Sequence, residues 1–211
     1  MKTDNLIDAL VADRPPRGRR LQWALVAALL AGGLVSLVLF LATLGVRADI
    51  GTALATWRFE LKVGLVLLAL GLAFSLCIAL SRPVAPAHPG RRLLLLATLA
   101  VLAIAIELFI LPSASWESRL VGSNALVCLI AIPTLAIAPL SVVLAILRSG
   151  APASPALAGG AAGLLAAAAA AALYAFHCFD DSPLFVVTWY ALAALPVVAV
   201  GAAAGHRLLR W

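Results

Sequence analysis

Residues 21–46, LQWALVAALLAGGLVSLVLFLATLGV, run without a charged side chain. A helix rises about 1.5 Å per residue and bilayer hydrocarbon is roughly 30 Å thick, so this run is long enough to span. It far exceeds the roughly 7–15 residues of a signal-peptide core, and Val46, Arg47 and Ala48 make a poor cleavage site before Asp49. The reading is a retained span. Further apolar runs at 61–80, 93–112, 121–147, 156–176 and 184–204 bring the count to six. Apolar residues make up 64% of the 211 and charged residues 11%, with a mean hydropathy of +1.12. That balance excludes a soluble globular enzyme. The expected fold is all-α, a polytopic six-helix transmembrane bundle over residues 21–211, with residues 1–20 as a separate N-terminal segment. The short polar connections leave no room for another soluble domain.

Basic residues near span ends are held on the cytoplasmic side. With the N-terminus inside, that side collects Lys2, Arg14, Arg17, Arg19, Arg20, Arg82, Arg91, Arg92, Arg148, Arg207 and Arg210, against Arg47, Arg58, Lys62 and Arg119 opposite. Both termini are therefore expected in the cytoplasm, and the net charge of +6 is a topology signal that needs no nucleic-acid partner. Trp57, Trp116, Trp189 and Tyr190 read as an outer aromatic belt, Trp23 and Trp211 as an inner one.

The polar segment His177, Cys178, Phe179, Asp180, Asp181, Ser182, Pro183 interrupts the last two apolar runs. At helical rise, Cys128 lies roughly 28 Å and Cys178 roughly 33 Å above the inner face, so the two thiols share a level. Cys77, near the inner end of helix two, cannot reach them and reads as packing. Three readings of the outer pair stay open: a disulfide, a soft-metal site, and two buried apolar side chains that never meet. Metal ligands would come from Cys128, Cys178 and His177, joined by Asp180 or Asp181. No C-x-x-C or H-x-x-x-H spacing supports the site, so no resident cofactor is expected and only a transient metal ion stays open. One of Asp180 and Asp181 is expected to cap helix six before Ser182 and Pro183.

Glu107 lies within a span, where a charge is expensive. Either it senses, or it pairs with Lys62 or Arg119 reaching down from the outer interface. Pro133, Pro139 and Pro196 are expected to kink their helices and free backbone carbonyls. Gly159 with Gly163, and Gly201 with Gly205, are small-x-x-x-small pairs that serve packing inside the bundle or dimerisation, leaving the oligomeric state open.

Asp4 is placed to cap a short helix with Leu6, Ile7, Leu10 and Val11 on one face, ending before Pro15 and Pro16. About ten residues are marginal as an isolated helix, so this segment orders on a partner. Asp4, Asp8 and Asp13 outnumber Lys2, which favours a protein with a basic groove over anionic lipid.

These residues resemble the NrsF-like membrane anti-sigma factors of proteobacteria. The opening Lys2-Thr3-Asp4-Asn5-Leu6-Ile7-Asp8-Ala9-Leu10 is similar to the family's first segment. Cys128 before Ile132-Pro133 and the inner loop Leu147-Arg148-Ser149-Gly150-Ala151-Pro152 match family positions. So do His177-Cys178 with Asp181-Ser182-Pro183-Leu184-Phe185 and Trp189-Tyr190, and the terminal Arg207-Leu208-Leu209-Arg210-Trp211. The resemblance implies a bacterial inner-membrane regulator, not an enzyme. It would sequester an extracytoplasmic-function (ECF) sigma factor through residues 1–20 and release it when an oxidant or heavy metal acts on Cys128 and Cys178 at the periplasmic face. The rival class is a small membrane transporter or metal-ion channel with Glu107 and the outer thiols along its path.

Overall fold

The computed structural model describes residues 17–83 and 88–210. The expectations for Asp4, Leu6, Ile7, Asp8, Leu10 and Val11, and for Trp211, lie outside the described residues. Among the described residues, six helices are long and apolar enough to cross a membrane. They are α1 (Arg17–Thr43), α2 (Trp57–Leu80), α3 (Leu93–Ile110), α4 (Ala125–Leu147), α5 (Pro155–Tyr174) and α6 (Pro183–Leu208). Among the described residues there is no strand. The six apolar runs thus appear as six helices, in register with the sequence reading.

The alanine-rich α5 is the most buried of the six, packed against α6, α2 and α4, whereas α3 is the most peripheral. Small residues explain the tightest contact. A Cβ added at Gly201 would stand 2.5 Å from Gly159 O, one at Gly205 2.6 Å from Gly159 Cα, and one at Gly163 2.6 Å from Val197 O. Both glycine pairs are therefore consumed inside the bundle, where they let the α5 and α6 backbones touch.

Helices α1 and α4 lock together by a different device. Pro139 has no N–H to give the carbonyl of Leu135 one turn earlier, yet α4 runs continuously through it. Ser36 of α1, 1% exposed, donates its hydroxyl to that freed carbonyl at 2.6 Å. Next to it, a Cβ on Gly32 would stand 2.6 Å from Pro139 Cα. The proline frees a carbonyl, as expected, and a neighbouring helix satisfies it.

Gly45, at φ +69°, ends α1 in the left-handed region that favours glycine, with its N–H donating to Phe40 O at 2.8 Å. At the other end of the bundle the Gly150 turn sits against Ser81 O and Leu21. Tyr190 departs from the belt reading. It is 7% exposed and belongs to the core, placed there by a π-helical turn over Val186–Tyr190, whereas Trp23, Trp57 and Trp116 are exposed. A π-turn shifts every following side chain around the helix axis, a change that hydrophobic pattern does not reveal.

Two alanine substitutions separate contact from propensity. Gly163→Ala forces backbones apart and should cost about 1–3 kcal/mol, lowering the thermal midpoint in detergent. Gly160→Ala meets only side-chain carbons at ordinary contact distance, Ala202 Cβ at 3.7 Å and Val198 Cγ1 at 3.9 Å, and should leave that midpoint unchanged or raised.

Candidate functional site

The α5–α6 connection is short, and nearly every polar group in it is bonded to another helix. The backbone N–H groups of His177 and Cys178 both donate to Tyr174 O, at 2.9 and 3.0 Å, so the turn leaves α5 tightly wound. His177 then reaches the end of α1: its Nδ1 lies 3.1 Å from Gly45 O, and because a carbonyl only accepts, Nδ1 carries the proton. Two residues on, the Arg47 N–H donates to Phe176 O at 3.0 Å. The end of α1 is thus stitched to this loop on both sides of Val46.

Arg47 and Lys62 converge on the same loop. Arg47 Nη1 donates to Cys178 O at 3.1 Å and to both carboxylate oxygens of Asp181 at 3.0 and 2.9 Å. Lys62 Nζ donates to Cys178 O at 2.8 Å and pairs with Asp181. Arg47 also holds Asp49 through two bonds of 2.7 Å. Lys62 is 1% exposed and Arg47 7%, so neither cation has water to replace these acceptors. Phe179 and Phe59 cover Arg47, and Phe59 also faces Lys62. The hydrogen bonds to Asp49, then those to Asp181, hold the Arg47 guanidinium above its ordinary range against the opposing effect of burial, and Arg47 in turn holds Asp49 below the usual carboxylate range.

Asp180 and Asp181 take different roles from the cap expected of them. Helix α6 starts at Ser182 and Pro183 with no side-chain cap. Asp180 instead caps α4 from across the bundle, its Oδ2 accepting from the backbone N–H groups of Ser123 and Asn124 at 3.0 and 2.9 Å and from Asn124 Nδ2 at 2.9 Å. Those amides lie at the positive end of the α4 dipole, a favourable place for a carboxylate. Gly122, at φ +59°, turns the chain into this cap, and a Cβ there would strike Phe185 and Asp180.

Glu107 corrects the expected pairing as well. Its partner is Arg58, at 3.0 and 3.1 Å, with Ser182 Oγ donating at 3.1 Å, and neither Lys62 nor Arg119 touches it. It is fully buried and sits in the last turn of α3, close to the loop cluster. A carboxylate already held by Arg58 and Ser182 is a structural tie, which disfavours its use as an open ligand along a solute path. Arg58 and Lys62 are four residues apart on α2, so both lie on the face toward the loop. That spacing is visible in the sequence, which gives Arg58 only as a topology marker and Lys62 as a topology marker and possible Glu107 partner.

Cys128, in the first turn of α4, and Cys178 are both fully buried in the main core cluster, and both are free thiols, as is Cys77. Cys77 packs in the core near the end of α2, as expected. Cys178 Sγ lies 3.7 Å from Asp180 O, and the phenols of Tyr174 and Tyr190 are its neighbours. The Tyr190 hydroxyl is buried without a hydrogen-bond partner. Burial pushes the Cys178 thiol up, and the Lys62 ammonium opposes that only in part. Among the described residues, no three His, Cys, Asp or Glu side chains gather as a metal site, because His177, Asp180 and Asp181 are spent on Gly45, α4 and the two cations. The tentative set of Cys128, Cys178 and His177 is therefore not assembled in this state.

Residues 10–211 match the family described as negative regulator of sigma F, NrsF. The chain is 37% identical over 231 residues to anti-sigma-F factor NrsF of Caulobacter vibrioides (strain NA1000 / CB15N), with 100% of each chain covered. It is 38% identical over 218 residues to probable anti-sigma-F factor NrsF of Azospira oryzae (strain ATCC BAA-33 / DSM 13638 / PS), again with 100% of each covered. No solved structure matches. A six-span helical bundle with this loop at one end, matched along almost its whole length, belongs to the NrsF family of negative regulators of sigma F.

Proposed function

We propose that this chain is an anti-sigma factor of the bacterial inner membrane, with both termini in the cytoplasm, that holds an ECF sigma factor through residues 1–20. The match over residues 10–211 to negative regulators of sigma F carries this reading. The charge distribution supports the orientation. Arg47, Arg58 and Lys62, three of the four basic residues on the outer side, are neutralised by Asp49, Glu107 and Asp181, while the inner side keeps its basic excess. The sigma factor would meet the acidic, one-faced segment containing Asp4, Leu6, Ile7, Asp8, Leu10 and Val11.

The signal enters at Cys128 and Cys178 from the periplasmic side. An oxidant takes two electrons and two protons from the pair as a disulfide forms, or a soft metal ion displaces the thiol protons. Both thiols are fully buried, so the response requires the loop to open, which suits a stress signal over a continuous redox read-out. The bonds between residues 176–181 and the end of α1 give a physical route from those thiols to the helix that leads into the sigma-binding segment.

Deleting residues 2–13 should abolish co-purification of sigma F with the membrane protein in mild detergent while leaving the bundle inserted and folded. Unchanged retention would move the binding surface elsewhere. Cys128→Ser combined with Cys178→Ser should retain sigma F after diamide or cadmium treatment that empties the parent protein, and release equal to the parent would remove the thiol sensor. In a variant keeping only Cys178, N-ethylmaleimide labelling should keep accelerating with pH beyond about 8.5, the ordinary thiol value, because the thiolate reacts and burial holds its pKa up. A plateau near that value contradicts this account of the thiol.

A further inference from the structure

We propose that Arg47 and Lys62 are positioning residues that couple the Cys178 loop to α1, with Asp181 as their shared counter-ion, and that this ion cluster when closed keeps the protein in its sigma-retaining state. The inference rests on the anti-sigma reading and is independent of the chemistry that reaches the thiols. Three observations carry it.

Both buried cations bond the same two groups, the carbonyl of Cys178 and the carboxylate of Asp181. Any displacement of residues 178–181 therefore strips acceptors from an ammonium that is 1% exposed and a guanidinium that is 7% exposed. Charges in such a place cannot simply lose their partners, so they follow the loop or the helices carrying them move to water. The cluster is also continuous with the end of α1. Gly45 O and the Arg47 N–H are bonded to His177 and Phe176, so α1 and the loop move as one piece while the cluster is intact. Finally, α1 has a hard register on α4 through Ser36, Leu135, Gly32 and Pro139. A shift at its loop end is thus passed along a rigid helix to the end that follows residues 1–16.

The test uses the full-length protein in membranes under reducing conditions with no oxidant or metal added. Asp181→Asn should retain about tenfold less sigma F than the parent, within the roughly 5–150-fold range of allosteric coupling, while its abundance and thermal midpoint show a folded bundle. It should do so equally in a Cys128→Ser, Cys178→Ser background, because the cluster acts downstream of the thiols. Lys62→Arg, which keeps a cation against Asp181, should retain sigma F. Retention by Asp181→Asn, followed by normal release on diamide, overturns the proposal. Where Asp181→Asn does not accumulate, Lys62→Met decides, since it leaves Asp181 paired with Arg47: untreated release supports the coupling, and parental retention with normal release overturns it. Release by Asp181→Asn alongside a normal diamide response in the double-serine protein upholds the coupling and removes the thiol reading. Retention by Asp181→Asn alongside an unresponsive double-serine protein does the reverse.

Discussion

A single carboxylate, Asp181, shared by two buried cations from different elements, is the constraint on which this end of the molecule depends. Arg47 arrives from beyond α1 and Lys62 from α2, and both also bond the carbonyl of Cys178. Taking such charges out of water is unfavourable by several kcal/mol per ion, and only close pairing with satisfied donors offsets it. The wider cluster meets that condition, with Arg47, Lys62 and Arg58 set against Asp49, Asp181 and Glu107. Charge is balanced locally, so the group tolerates burial where each member alone would not. Intramembrane charges are costly wherever they stand, and here they gather at the ends of spans beside a polar loop, where the penalty is smallest.

The rest of the bundle determines what movement at that loop can reach. The α5–α6 contact is fixed by backbone against backbone at Gly159, Gly201 and Gly205, and has no slack. The α1–α4 contact is fixed by one hydroxyl filling the place of a missing proline N–H. These two rigid pairs meet at residues 176–182, which bond α1 through Gly45 and Arg47, α2 through Lys62, α3 through Glu107 and α4 through Asp180. A bundle held this way responds to a local change by moving whole helices, because packed cores change by discrete steps rather than by gradual deformation. Peripheral α3, tied in near its end by Glu107, is the helix least constrained by packing.

How far the chain was legible beforehand follows from which forces act locally. The six spans were plain, because hydrocarbon thickness imposes a length and a polarity that composition alone reveals. The segment from His177 to Ser182 also stood out, because polar residues between apolar runs need a reason. Their partners were not legible. Asp180 and Asp181 looked like caps for the helix they precede, the local solution, but α4 and two cations offered better ones from across the bundle. Glu107 was matched by depth to Lys62 or Arg119, whereas the partner depends on the rotation of α2, which brings Arg58 round to it. Tyr190 was assigned to the lipid interface because a π-turn cannot be read from hydrophobic period. For Glu107 and Tyr190, depth along the membrane normal could be computed from residue number while rotation about a helix axis could not; for the loop residues Asp180 and Asp181, the partners were set by how distant elements pack together.

Hydrogen–deuterium exchange of the intact protein in nanodiscs, parent against Asp181→Asn, tests most directly whether this carboxylate joins the loop to α1 and α2. The account predicts that backbone amides at 44–49 and 176–182 are protected together in the parent and lose protection together in the variant, while α5 and α6 stay protected. Loss confined to 180–183, with residues 44–49 as protected as before, would show that the end of α1 is held by something else.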